Sequence, residues 1–208
     1  NKIESGKMEL NLQTIDSRAV FANILANAEI MAKNKGVLLE VQTPDIPDER
    51  WLPVKADAAR LEQVIMNIVS NAIKFTPAGR KVEMIMESVT VSGDTVTDRY
   101  IIKDTGIGIG EEFLPKIFEA FSQEGRTNTG RENGTGLGMS IVKQLVDLMG
   151  GEISIQSKLG EGTTVTILMS YAVSHEVIQL ESPLESNLSI LKGKHILLCE
   201  DHPLNAQI

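Results

Sequence analysis

Two asparagines and a lysine share one side of a mostly apolar segment, NIVSNAIKFT, at residues 67–76. On a helix with about 100° per residue, Asn67, Asn71 and Lys74 fall within roughly 60° of each other. An amide oxygen is a hard neutral ligand that suits Mg²⁺, and a lysine ammonium suits a phosphate. A solvated polar stripe is the ordinary interpretation, but asparagine is a mediocre helix former. The row therefore indicates either an exposed helix face or a site for a phosphorylated ligand.

Two glycine clusters follow, and each has a structural and a functional interpretation. DTGIGI (residues 104–109) comes directly after a predicted strand, where glycines let the backbone approach a flat ligand and Asp104 can accept a hydrogen bond from an amine. GTGLGM (residues 134–139) opens a predicted helix, whose free N–H groups favour an anion. Ordinary turn chemistry and a purely structural helix start are the alternatives. The second cluster is neither a Walker loop nor a dinucleotide fingerprint, because no Gly-Lys-Ser/Thr follows and it does not sit in a βαβ unit after the first strand.

Two phenylalanines, Phe118 and Phe121, precede a polar stretch rich in Gly, Thr, Asn and Arg between the two glycine clusters. They are suited to anchor the hinge of a mobile lid. Their spacing is equally compatible with core residues that lie beneath a surface loop.

Composition limits the class of protein. The chain has 208 residues, 42% of them hydrophobic and 23% charged, which is typical of one globular domain with attachments. A net charge of -8 argues against direct binding of nucleic acid, although it does not exclude a buried site for a nucleotide. The only cysteine, Cys199, has no internal partner for a disulfide, and no run of about 18 apolar residues or signal peptide is present. We therefore expect a cytoplasmic location, in a parent protein that an inner-membrane anchor elsewhere could hold.

Periodicity predicts an α+β fold, with helices on one face of a mixed sheet. The second predicted helix has an apolar side formed by Leu61, Ile65, Ile68 and Ala72, flanked by Val64, Val69 and Ile73, so its polar row faces away from the core. The predicted helices are residues 19–35, with Asp16 or Ser17 as the cap, 57–75 and 137–149, with a short helix near 111–118. The predicted strands are residues 8–14, 37–43, 54–56, 81–91, 95–103, 152–158, 163–171 and 195–201.

Four segments in this order, NIVSNAIKFT, DTGIGI, IFEAFSQ and GTGLGMSI, closely resemble the N, G1, F and G2 boxes of sensor histidine kinases. The resemblance covers roughly residues 57–170. It implies the Bergerat-type ATP-binding fold, a two-layer α/β sandwich with a mixed, mainly antiparallel sheet and an ATP lid. It also implies ATP and Mg²⁺ as cofactors.

The resemblance implies a role for each matching residue. Asn71 would ligate Mg²⁺, with Asn67 alongside and Lys74 near the phosphates. Asp104 would accept the adenine amino group. The catalytic set would be Asn67, Lys74 and Arg131. The other nucleotide-binding positions implied are Gly106, Gly108, Ile109, Phe121, Gly134, Thr135, Gly136, Leu137 and Gly138, with Phe118 as a second lid anchor.

The lid departs from the family pattern. An acidic residue commonly follows F-x-Q-x, and an arginine commonly stands four residues before the first glycine of the G2 box. Here those positions are Gly125 and Gly130, and Asn133 replaces a usual glycine. We take Arg131 as the candidate γ-phosphate contact and Arg126 as the reserve.

The family comparison also gives Asn67 a chemical meaning. Related ATPases carry a glutamate at this place, which activates water as a general base. An amide cannot accept that proton, so we expect ATP to be bound but not hydrolysed well. This suits a kinase that transfers the γ-phosphate to a histidine.

The flanking segments extend the resemblance to a hybrid histidine kinase. Residues 1–16 resemble the end of a dimerisation helix and its linker, 17–172 the catalytic domain, 173–192 a linker, and 193–208 the first strand of a truncated receiver domain. Glu200 and Asp201 match the metal-binding acids of a receiver. His175, His195 and His202 all follow the ATP site, so none of them matches the acceptor histidine of the family, which precedes it. We therefore expect a homodimer whose dimerisation domain carries that histidine.

The expected partners are therefore that dimerisation domain and a receiver domain or response regulator. Two alternatives remain at this point. One is a scaffold that binds nucleotide weakly or not at all and couples sensor to receiver, and the other is an anti-sigma-type serine kinase on the same fold.

Overall fold

The computed structural model describes residues 9–43, 52–122 and 135–176. The chain divides into two compact units, residues 1–178 and 179–208, and every described residue belongs to the first. The predicted strand at 195–201 and most of the predicted linker lie outside the described residues. The predicted domain boundaries therefore stay a prediction.

One sheet organises the described part. Its strands are β1 (Gln13–Ile15), β2 (Leu38–Gln42), β3 (Val54–Ala56), β4 (Lys81–Ser92), β5 (Thr95–Asp104), β6 (Glu152–Lys158) and β7 (Gly162–Val173). The order is β1-β3-β7-β5-β4-β2, and β6 also pairs with β7. The β2–β4 pair is parallel and the other pairs are antiparallel. The predicted mixed, mainly antiparallel sheet is confirmed.

Three α-helices are described with the sheet: α1 (Ser17–Lys35), α2 (Ala58–Phe75) and α3 (Gly138–Leu148). Asp16 and Asp57 cap α1 and α2 by accepting backbone N–H bonds, and Gly36 ends α1 in the left-handed conformation. Alternate residues of β5 are buried from Val96 to Asp104. The buried hydrophobic cluster combines Val96, Tyr100 and Ile102 of β5 with residues of all three helices, so the helices cover one face of the sheet.

Helix α2 is held by its apolar side. All seven positions predicted to face the core are buried: Leu61, Val64, Ile65, Ile68, Val69, Ala72 and Ile73. Full burial of one large aliphatic side chain contributes about 1.5–3 kcal/mol. The helix contacts both α1 and α3 and packs on β5. Its rotation is therefore fixed by the core, which also fixes where its polar side points.

Two predicted elements are shorter than their sequence patterns indicated. The alternation over 8–14 predicted a strand there, but β1 comprises only Gln13–Ile15, because it pairs residue for residue with the three residues of β3. The Asn11 N–H donates to the Asp57 carboxylate at 3.0 Å instead of joining a ladder. The predicted helix near 111–118 is a 3₁₀ turn at Leu114–Lys116.

Candidate functional site

The amide row of α2 lies against the beginning of α3. A methyl group built on Gly138 would lie 3.8 Å from Asn71 Nδ2 and 3.9 Å from Asn67 Oδ1. Both asparagines are half-buried. Within the described ranges neither side-chain amide has a hydrogen-bond partner, and neither is fully shielded from solvent. The fold thus brings the two predicted segments together and leaves the amides accessible.

Helix α3 begins without a side-chain cap. Leu137 occupies the N-cap position, and it makes no capping hydrogen bond. The first N–H groups of a helix have no intrahelical partner, and the positive end of the helix dipole favours an anion. Since this helix start lies close to the amide row, side-chain amides and backbone N–H groups without an intrahelical partner occur side by side.

Lys74 supplies a positive charge near the end of α2. Its Nζ lies 5.0 Å from the centre of the Phe75 ring. Over the described ranges no carboxylate pairs with this ammonium. The charge is therefore available to a phosphate.

Phe75 was not among the residues predicted for the site. Its side chain is 42% exposed, and its backbone oxygen accepts the Ile107 N–H at 3.2 Å. It therefore connects α2 to the segment 104–110, called here the Asp104 loop. The sequence did contain a signal for Phe75 as a site residue: an aromatic residue that follows a lysine at the end of an apolar helix.

Asp104 is 8% exposed at the end of β5, and one of its carboxylate oxygens is fixed. Oδ1 accepts the Gly106 N–H at 2.8 Å and the Thr163 N–H at 3.2 Å. Burial raises the pKa of this carboxyl, and the two N–H donors oppose the rise. Oδ2 has no donor among the described residues and is not sealed from solvent. A ligand N–H can therefore reach it.

The glycines of the Asp104 loop are required by close backbone packing. A methyl group on Gly106 would lie 2.5 Å from the Phe75 backbone oxygen. Gly108 has φ +68°, and a methyl group there would lie 2.0 Å from the Lys158 backbone oxygen. The loop is thus pressed between the end of α2 and the β6–β7 turn. The predicted contact of Gly106 and Gly108 with the adenine base stays a prediction.

The base of the predicted lid is joined by backbone rather than by aromatic packing. The Phe121 N–H donates to the Gly136 oxygen at 3.0 Å, whereas Phe121 as a whole is 74% exposed. Phe121 has φ 65° and Gly136 has φ +70°. Thr135 is exposed and Phe118 is half-buried. The lid residues Gly125, Arg126, Gly130, Arg131, Asn133 and Gly134 lie outside the described residues.

Comparison with known proteins defines the class. Residues 56–172 match the family described as "Histidine kinase-, DNA gyrase B-, and HSP90-like ATPase". This match spans more than half of the chain, so the chain belongs to that family. Its fold and its core motifs are those of the ATP-binding catalytic domain of sensor histidine kinases.

Particular relatives agree with this class. The chain is 36% identical over 193 residues to Histidine kinase 5 of Arabidopsis thaliana, covering 83% of the chain and 20% of that protein. It is 35% identical over 167 residues to Hybrid signal transduction histidine kinase D of Dictyostelium discoideum, covering 80% and 10%. Full-length ShkA, crystallised in complex with AMPPNP, superposes with a TM-score of 0.67 at 27% identity, covering 83% of this chain and 34% of ShkA. The chain thus spans a fifth or less of these curated relatives. None of the helices in the described ranges is long and apolar enough to cross a bilayer.

Proposed function

We propose that this domain binds ATP with Mg²⁺ between α2, the Asp104 loop and the beginning of α3. In the intact protein the γ-phosphate would pass to a histidine on a dimerisation domain. The observation that carries the proposal is the approach of Gly138 to the amides of Asn67 and Asn71. It places the N–H groups of a helix start beside two side-chain amides, and an amide oxygen is a hard ligand that suits the metal of a metal-bound triphosphate.

The two ends of the nucleotide are assigned by charge. Asp104 Oδ2 accepts the adenine amino group, because it is the carboxylate oxygen that the fold leaves available. The backbone at Gly106, Gly108 and Ile109 borders the base. Lys74 neutralises phosphate charge. The phosphates lie at the start of α3, and the positions that would contact them are Gly134, Thr135, Gly136, Leu137 and Gly138.

The residues present fit Mg²⁺. No cluster of three His, Cys, Asp or Glu side chains occurs in the described part of the chain. Mg²⁺ commonly binds through one or two protein oxygens, phosphate oxygens and water. The unpaired amide of Asn71 would supply a protein oxygen, with Asn67 alongside. The metal would neutralise charge on the phosphates.

The proposed reaction is a phosphoryl transfer. The bond between the γ-phosphorus and the ADP oxygen breaks, a bond to an imidazole nitrogen (Nε2 or Nδ1) forms, and the imidazole proton is released. This chain contributes position and charge neutralisation. Arg131, with Arg126 as reserve, would contact the γ-phosphate. Asn67 cannot act as a general base toward water, so the γ-phosphate is kept for the histidine.

The proposal for the parent protein follows from its relatives and from the flanking sequences. We propose that the parent protein is a hybrid histidine kinase that acts as a homodimer, with a receiver domain or a response regulator as the next phosphate acceptor. An ATP-dependent domain needs a compartment that supplies ATP, so the proposal places this domain in the cytoplasm. The serine-kinase and scaffold alternatives are not favoured by the comparisons.

Calorimetric titration with AMPPNP, with and without Mg²⁺, tests the proposal. We expect Mg²⁺-dependent binding, and Asn71→Ala should weaken it at least about tenfold, or about 1.4 kcal/mol. Asn23→Ala is the matched control, because Asn23 is exposed on α1. A folded wild-type chain that binds no nucleotide would refute the proposal. A test for phosphohistidine in the longer protein, which includes the dimerisation domain, then separates the kinase from a scaffold.

A further inference from the structure

The hydroxyl of Ser157 joins the two loops on either side of Asp104. Ser157 lies on β6 and is half-buried. Its Oγ accepts the Ile109 N–H of the Asp104 loop at 2.9 Å and donates to the Gly162 oxygen of the β6–β7 turn at 2.8 Å. It is also 2.9 Å from Thr163 Oγ1.

These three contacts use the whole hydrogen-bonding capacity of a serine. A hydroxyl has one donor and two acceptor sites. Because the Ser157 proton goes to Gly162, Thr163 must donate to Ser157 Oγ, and the remaining acceptor site takes the Ile109 N–H. Among the natural side chains only a hydroxyl is both a strong donor and a strong acceptor at a single atom.

The same turn orients the carboxylate of Asp104. The Thr163 N–H, next to the Gly162 oxygen that Ser157 holds, donates to Asp104 Oδ1. Gly162 itself approaches so closely that a methyl group on it would lie 2.0 Å from the Asp104 backbone oxygen. Any shift of the turn therefore moves a donor of the carboxylate.

We infer that Ser157 is a positioning residue for the recognition of the adenine base. It fixes the β6–β7 turn and the far end of the Asp104 loop against each other, and so holds Asp104 Oδ2 in the direction of the base. This inference rests on the proposed function, because it takes Asp104 as the acceptor of the adenine amino group. It predicts an effect on the base and none on the phosphates.

Three variants of the full 208-residue chain separate this role from general stability. Ser157→Cys nearly keeps the size but replaces the hydroxyl with a weak donor and weak acceptor, whereas Ser157→Thr keeps the hydroxyl. Ser154→Ala is the control, because Ser154 is an exposed serine on the same strand. The probes are AMPPNP, GMPPNP and Mg²⁺-tripolyphosphate, which has no base. Thermal unfolding is measured in parallel.

We expect Ser157→Cys to weaken AMPPNP binding about tenfold, by loss of a hydrogen-bond network of typical strength. The preference for AMPPNP over GMPPNP should shrink, and tripolyphosphate binding should stay constant. Ser157→Thr should restore most of the adenine preference. Equal loss for all three probes would indicate a merely structural role and would overturn the inference, as would a Ser157→Cys chain that binds like Ser154→Ala.

Amide exchange in the nucleotide-free chain distinguishes failure of this inference from failure of the proposed function. Ser157→Cys should accelerate exchange at the Ile109 and Thr163 N–H groups relative to Ser154→Ala. Unchanged exchange at both refutes the positioning role even if wild type binds AMPPNP. If exchange accelerates but wild type binds no probe, the proposed function fails, and the adenine role inferred for Ser157 fails with it.

Discussion

Replacement of Asp104 by asparagine should separate the stability of the domain from its affinity for nucleotide. The fold uses only Oδ1 of this side chain, which accepts the N–H groups of Gly106 and Thr163. Asparagine can keep both bonds with its amide oxygen. Its NH₂ group then takes the place of Oδ2, which is the atom assigned to the adenine amino group.

The effect on stability follows from the raised pKa of Asp104, which burial causes. A carboxyl with a raised folded-state pKa favours folding when protonated, and this contribution is lost as the pH rises through that pKa. Asp104→Asn removes the ionisation, so the variant should be at least as stable as wild type at pH 7. The difference should disappear as the pH falls to the unfolded-state value, near 3.8. Each unit of pKa difference is worth about 1.4 kcal/mol.

The effect on affinity has the opposite sign. A hydrogen bond to a charged acceptor contributes about 1.5–3 kcal/mol. Its replacement by an NH₂ group that faces the adenine NH₂ loses at least that amount. Affinity for AMPPNP should therefore fall by about tenfold to about a hundredfold.

Urea unfolding between pH 4 and pH 8 and calorimetric titration with AMPPNP measure the two effects. Asp94→Asn is the control, because the Asp94 side chain is 85% exposed in the β4–β5 turn. A variant that binds AMPPNP like wild type would remove Asp104 from the site. A variant clearly less stable than wild type at pH 7 would refute the burial argument.

Three shorter predictions concern packing, the sheet edge and the chemistry. Gly108→Ala should destabilise the fold by more than about 2 kcal/mol, because the strain of the positive φ and a backbone clash add. Gly160 also has a positive φ, +82°, but has open space around it, so Gly160→Ala should cost only the strain. Equal midpoints of the two variants in urea unfolding would contradict this. Thr14→Val should lower the free energy of unfolding by about 1 kcal/mol, because the Thr14 hydroxyl lies 2.7 Å from Ser174 Oγ. An unchanged midpoint of thermal unfolding would show that this contact does not contribute to stability. Asn67→Glu should raise phosphate release from Mg²⁺-ATP at least about tenfold by supplying a general base, and an unchanged rate would argue against the role given to Asn67.

Local patterns predicted the helices well, because burial on a helix repeats within a few residues. All seven apolar positions predicted for α2 are buried, and the cap at Asp57 accepts the Arg60 N–H. The strands of the β4–β5 hairpin agree with prediction within a residue at their ends. In each case the signal and its structural cause lie in the same segment.

Features that depend on a distant partner could not be predicted in the same way. The length of β1 is set by β3, about forty residues away, so the alternation over 8–14 overestimated it. Ser157 looks like an ordinary strand serine, and only the β6–β7 register brings it to Thr163 and, through the loop, to Ile109. Phe121 was predicted as an aromatic anchor, but it is 74% exposed and contacts Gly136 through its backbone N–H. Neither this exposure nor its positive φ of 65° could be inferred from the spacing of the phenylalanines.

The amide row is better explained by a ligand than by the fold. Asparagine is up to about 0.7 kcal/mol less favourable than alanine in a helix interior, so Asn67 and Asn71 together weaken α2. Half-buried amides usually recover such a cost through hydrogen bonds, but none is made to them within the described ranges. The opposite side of the same helix is fully engaged by the core. The core therefore does not determine the residue types on the polar side, and amides beside a helix start are residue types that the proposed site for ATP and Mg²⁺ requires.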